Sequence, residues 1–175
     1  GADYRIKTSV VQTSSPTDLV LVGGGDPLLR TTPAAPDESP AASLTDLADQ
    51  TANALKAAAS SGGETPTTLS ATVNFDDSLF TGPRTAPSWP TSYVTSKLVS
   101  PITALMVNGG GGADPARTAA TTFVSLLKKR GIAVPATPNR VTASSGATEV
   151  AAVNSSALSG VVTHTLTASD NTAAE

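Results

Sequence analysis

PITALMVNGGGGADPARTAATTFVSLLKKRG, residues 101–131, places an apolar run, a break and a capped helix in direct succession. Ile102 to Asn108 is nearly continuously apolar, which predicts a strand buried on both faces, and Gly109 to Gly112 interrupt it. Asp114 can cap the helix that follows and Pro115 suits its first position. Lys128, Lys129 and Arg130 fall in its last turn, and Gly131 lies just past its end. A strand feeding a helix through a tight break is the repeating unit of an α/β sheet.

The flanking sequence extends that pattern. Tyr4 to Gln12 alternates in β-forming residues and Asp18 to Val22 is a short apolar run, so two strands are predicted there. Ser43 can cap a helix whose apolar face is Leu44, Leu47, Ala48, Leu55 and Ala58, with Asp46 in its first turn and "SSGGETP" at its end. Leu69 to Phe75 and Thr148 to Asn154 read as further strands and "IAVP" as a short one, while the prolines of residues 82–93 exclude regular structure. Leu158, Val161, Val162 and Leu166 recur at helical spacing within Ser156 to Ala168. These elements predict an α/β fold with a mostly parallel sheet flanked by helices, and Ser169–Asp170–Asn171 in a tight turn between two helices.

Composition removes several function classes. The 175 residues carry a net charge of -3 and only one basic cluster, so a phosphate backbone or an anionic lipid surface finds no complementary patch. Nucleic acid is therefore not an expected partner. No apolar run approaches the length of a membrane span, and residue 1 does not begin an export signal, which would have to lie outside this stretch. With no cysteine and a single histidine, His164, thiolate metal sites, His-based metal sites and a Ser-His-Asp triad lack their residues, and no cofactor is expected. One Trp, two Tyr and three Phe leave the core to small aliphatic side chains.

Glycine runs raise the question of phosphate binding. Gly23–Gly24–Gly25 departs from G-x-G-x-x-G because Leu28 holds the last position, and Gly109 to Gly112 precede an acidic cap with no lysine behind it. Both read as turns or as a shortened connection. His164 reads as a partly exposed helix residue. Trp89, in the proline-rich loop, is either a cover over the core or a contact for a ligand.

Four ordered blocks carry a family resemblance: "LVLVGGGDPLL" (Leu19 to Leu29), "DDSLFTGP" (Asp76 to Pro83), "PITALMVNGG" (Pro101 to Gly110) and "SDNTAAE" (Ser169 to Glu175). Together they resemble the D-alanyl-D-alanine carboxypeptidases of the multi-domain, low-molecular-mass class of penicillin-binding proteins, particularly actinobacterial ones. The resemblance implies an accessory α/β domain over residues 1–154, inserted between the S-x-x-K and S-x-N signatures, and a catalytic-domain piece over 155–175. It also implies a secreted or envelope enzyme that cleaves peptidoglycan stem peptides through an acyl-enzyme and is acylated by β-lactams. Ser169 would shuttle a proton toward the leaving amine, Asn171 would hydrogen-bond the substrate amide, and Asp170 would fix the turn. Trp89 falls where some relatives place an aromatic wall for the stem peptide, with a weaker correspondence for Tyr93.

The nucleophile is absent. Ser125–Leu126–Leu127–Lys128 matches S-x-x-K in form but sits in the last turns of its helix, where the dipole favours a solvated basic end over an activated serine. Lys7–Thr8–Ser9 imitates K-T-G but precedes S-D-N and lacks the glycine. The expectation is an inactive piece whose S-x-x-K lies before residue 1 and whose K-T-G lies after residue 175. The alternative is a non-catalytic wall-binding or scaffolding module of the same fold. A β-lactamase, with S-D-N much closer behind its nucleophile, is a weaker third.

Overall fold

β1 (Arg5–Gln12) and β2 (Asp18–Val22) form an antiparallel hairpin in which Val10 lies opposite Leu21 and Gln12 opposite Leu19. Its loop is closed by Asp18, whose carboxylate accepts from Thr13 Oγ1 at 2.7 Å and Ser14 Oγ at 2.6 Å. The computed structural model describes residues 1–61 and 68–175. After the hairpin come α1 (Leu44–Ser61), β3 (Leu69–Ser70), β4 (Thr72–Asp76), α2 (Thr91–Thr95), α3 (Pro115–Lys129), β5 (Ile132–Ala133), β6 (Thr148–Ala157), α4 (Leu158–Ala168) and α5 (Asn171–Ala174). Most of the "SSGGETP" stretch expected to end α1 lies outside the described residues.

The fold is α/β, with helices packed on a four-stranded sheet of order β4-β2-β1-β6. The sheet is mixed, which corrects the mostly parallel expectation: β1 pairs antiparallel with both β2 and β6, and only β2 with β4 runs parallel. Strand–helix alternation in the sequence cannot register the hairpin at its start, because a five-residue loop permits only antiparallel return. β3 and β5 make a separate parallel pair.

Register aligns the core. Ala151, Val10, Leu21 and Phe75 face one another across the four strands, and all four are buried. Onto the sheet pack Leu44, Leu47, Ala48 and Leu55 of α1 and Ala116, Ala119, Ala120, Phe123 and Leu127 of α3. Each fully buried Leu or Phe contributes roughly 1.5–3 kcal/mol, and the alanines let two helices and a sheet share a core with few aromatic rings. Arg130 ties the end of α3 to α1, with Nε and Nη2 on the Asp49 carboxylate at 2.6 and 2.8 Å. Caps fall where the sequence puts them: Ser43 Oγ accepts from Asp46 N–H at 3.0 Å and the Asp114 side chain accepts from Arg117 N–H at 3.2 Å.

Three elements depart from expectation. Leu69 to Phe75 is divided at Ala71, because Leu69–Ser70 pairs with β5 and Thr72–Asp76 with β2. Within the proline-rich stretch, α2 begins immediately after Pro90. The run Ile102 to Asn108 is not a strand. Its residues Thr103 to Val107 are buried as predicted, but the position beside β4 is held by Asn139 to Val141, where Phe75 N–H donates to Asn139 O and Val141 N–H to Phe75 O. The 102–108 backbone bonds to loops instead, with Ile102 N–H on Arg84 O, Gly25 N–H on Ala104 O and Asn108 N–H on Leu29 O. An apolar run reports burial, and burial without a free sheet edge gives no strand.

That crossing explains Gly23, and the backbone of β1 explains Gly24. A Cβ on Gly23 would lie 2.4 Å from Ala104 O, and one on Gly24 would lie 1.9 Å from Lys7 O. Gly23 and Gly25 also spend their amides on Asp76 O and Ala104 O. The run is a packing crossover in which the donors of Gly23 and Gly25 are occupied.

Candidate functional site

The S-D-N triplet is the turn between α4 and α5. Ser169 caps α4 in the left-handed conformation, φ 51° and ψ 44°, which is uncommon for a residue other than glycine. Asp170 then reverses the chain: its N–H donates to Thr165 O, and its carboxylate accepts from Ala173 N–H at 3.0 Å to cap α5. With Asp170 engaged by the turn, Ser169 and Asn171 are left exposed on either side of it. His164 Nε2 stands 3.7 Å from Asp170 Oδ2, an ion pair when the imidazole carries a proton.

α5 is anchored to the loop before the glycine run, where Ser100 N–H donates to Thr172 Oγ1 at 3.2 Å. Beyond α5, Glu175 helps line a cleft of about 390 Å³ together with Asp77, Phe80, Arg84 and Thr103. Trp89 is half-buried, its N–H bonded to Ala86 O in a local turn, and Tyr93 is exposed on α2. Neither Trp89, Ser169 nor Asn171 is among the residues lining that cleft. Among the described residues no hydrogen bond joins Trp89 to the S-D-N turn.

The imitation motifs are engaged elsewhere. Ser125 Oγ donates to Thr121 O within α3, and Lys7 Nζ pairs with Glu149 across β1 and β6. Among the described residues no group of three or more His, Asp or Glu is placed to hold a metal ion.

The wall of the cleft is organised by a carboxylate that sequence reading passes over. Asp77, with its side chain 3 % exposed, accepts from Arg84 Nη2 at 2.6 Å, Arg140 Nε at 2.9 Å and Thr103 Oγ1 at 2.9 Å. Arg140 continues to Asp114 at 2.7 Å and lies 5.0 Å from the centroid of the Phe75 ring. Burial pushes the Asp77 carboxyl up, but the hydrogen bonds from Arg84, Arg140 and Thr103 outweigh it and hold the group below the usual carboxylate range. The partners are up to 63 residues apart in the chain, and only the doublet Asp76–Asp77 at the end of a strand marks the place in the sequence.

Asp26 is the opposite case. It is 3 % exposed, Oδ1 accepts from Leu28 N–H at 2.9 Å, and Oδ2 has no protein partner among the described residues. Burial raises its pKa. The unfolded chain gives up this proton near pH 4 and the folded chain at higher pH, so the carboxyl costs stability as pH rises through that window. Asp26→Asn cannot ionise. Urea melts are expected to show the variant gaining on the parent between pH 4 and pH 7, whereas an unchanged gap across that range would contradict a buried, unpartnered carboxyl.

A family model described as D-Ala-D-Ala carboxypeptidase 3 (S13) matches residues 1–112 and 112–175. The chain belongs to this family. Its two matched segments meet at Gly112, the last residue of the glycine run read from sequence as turns or a shortened connection. Among curated relatives of this S13 chain is a Mycobacterium tuberculosis protein named Carboxypeptidase Rv3627c, 32% identical over 181 residues that cover 98% of this chain and 37% of that protein. The crystal structure of penicillin binding protein 4 from Haemophilus influenzae is similar with a TM-score of 0.68 at 11% identity, over 99% of this chain and 51% of that one. That second likeness is one of fold. The chain thus spans between about a third and a half of the length of these two relatives. No helix among the described residues is long and apolar enough to cross a membrane.

Proposed function

We propose that this chain is the middle part of a penicillin-sensitive serine D-Ala-D-Ala carboxypeptidase or endopeptidase of the cell envelope, and that it supplies the S-D-N element of a site completed by flanking sequence. The observation that carries the reading is the turn itself: Asp170 is used up in holding it, and Ser169 and Asn171 are presented outward with free side chains. Membership in the family and the share of its relatives that the chain spans support it. So does α4, where only Val161 is buried while Leu158, Val162 and Leu166 form an exposed apolar stripe suited to further protein.

In this reading a serine outside the chain attacks the carbonyl of the penultimate D-Ala of the stem peptide, forming an acyl-enzyme and releasing D-Ala. Ser169 Oγ passes the proton toward the departing amine, and the Asn171 side-chain amide hydrogen-bonds the substrate amide and helps position the lysine base. β-Lactams acylate the same serine. Trp89 is proposed as an apolar contact for the stem peptide. The domain seam, residues 1–154 accessory and 155–175 catalytic, then falls within β6, whose last residues lead directly into α4.

A labelled penicillin tests the proposal. The chain extended by its flanking sequence should become covalently labelled, and residues 1–175 alone should not. An extended chain that folds yet stays unlabelled would instead favour a non-catalytic wall-binding module.

A further inference from the structure

Ser100 links two features by hydrogen bonds, α5 and the glycine run. Its N–H donates to Thr172 Oγ1 in the first turn of α5, and its Oγ donates to Gly109 O at 2.7 Å. The glycine run is shaped to receive it: Gly110 has φ 78°, and a Cβ there would lie 2.9 Å from both Cβ and Oγ of Ser100. That run is itself fixed by Asn108, at φ 54°, whose side-chain amide exchanges two hydrogen bonds with Thr31, Nδ2 to Thr31 Oγ1 at 2.9 Å and Thr31 N–H to Oδ1 at 3.0 Å. Two left-handed positions, Asn108 and Ser169, therefore flank in sequence the ends of a hydrogen-bonded path that runs from Gly109 through Ser100 to Thr172. Left-handed backbone at a residue other than glycine persists where its surroundings over-determine it.

We infer that Ser100 and Thr172 form a latch that holds the Ser169–Asn171 turn in register with the Gly109–Gly112 crossover, Thr172 acting as a positioning residue for the S-D-N element. α5 has only four residues and no buried side chain, so its own packing fixes it weakly. A hydrogen bond between N–H and hydroxyl supplies the missing restraint, enough to change local opening severalfold up to about tenfold. Its effect on catalysis rests on Ser169 and Asn171 acting as proposed above. The effect on the turn does not.

Thr172→Val keeps the shape and removes the acceptor. Amide exchange measured on residues 1–175 is expected to accelerate about threefold to tenfold at Ser100, Asp170 and Ala173 and to stay unchanged in β1. Thr172→Ser should restore the slow rates, and Ser100→Ala, which keeps the N–H but loses the Gly109 tether, should give an intermediate effect. In the extended chain the same Thr172→Val is expected to slow penicillin acylation by a similar factor at unchanged Tm, again with rescue by Ser. Unaltered exchange at Asp170 and Ala173 in Thr172→Val would overturn the latch. Accelerated exchange with no acylation in the unmodified extended chain would uphold the latch and refute the proposed function.

Discussion

Ser169→Ala in the chain extended by its flanking sequence is expected to slow acylation by penicillin about 100-fold or more, the low end of what a positioned proton-transfer group contributes. Folding should be indifferent to the change. Ser169 is exposed, no hydrogen bond of its hydroxyl to protein is seen among the described residues, and the left-handed backbone burdens Ser and Ala about equally. Asn171→Ala should produce a loss of similar order if its side-chain amide hydrogen-bonds the substrate as proposed. Asp170→Ala is different in kind, because it uncaps α5 and should lower stability as well as rate. Stopped-flow acylation alongside thermal melts separates the three. A Ser169→Ala variant that acylates at the parental rate would remove Ser169 from the mechanism.

Asp77→Ala is expected to give the largest loss of stability of any single polar substitution outside the S-D-N turn, about 2–3 kcal/mol in urea denaturation. Removing one partner of a buried pair typically costs about 3–5 kcal/mol. The figure is discounted here because the Arg84 and Arg140 side chains are 38% and 39% exposed and can recover water. Asp77→Asn keeps an acceptor and should cost less. The pH dependence has a definite sign: the folded carboxyl ionises below the unfolded one, so its contribution is fully present above about pH 4 and is lost as pH falls through the folded value. The gap between parent and Asp77→Asn should therefore close in acid. A gap independent of pH would mean that the carboxylate charge contributes nothing.

How much of this could be read beforehand follows from how local each signal is. The hairpin strands, α1 and α3 with its Asp114 cap and Pro115 start, and the S-D-N turn are set by neighbours within a few residues, and all appear where the sequence places them. Ile102 to Asn108 was legible as buried but not as irregular, since its conformation depends on Asn139 to Val141 occupying the edge of β4. The order and direction of strands depend in the same way on partners far along the chain. Asp77 is the sharpest case: nothing around residue 77 announces that Arg84, Thr103 and Arg140 will meet on one carboxylate. Family resemblance reached Ser169 and Asn171 through a motif, while the hold of Ser100 on Thr172 joins residues 72 positions apart and leaves no local signal.

The most direct test is a crystal structure of the extended chain after reaction with a penicillin. The account predicts a penicilloyl ester on a serine N-terminal to residue 1, with Ser169 Oγ and the Asn171 side-chain amide both within about 2.6–3.2 Å of the ligand or its ester-bearing serine. An ester on Ser125, or one remote from the turn at residues 169–171, would contradict it.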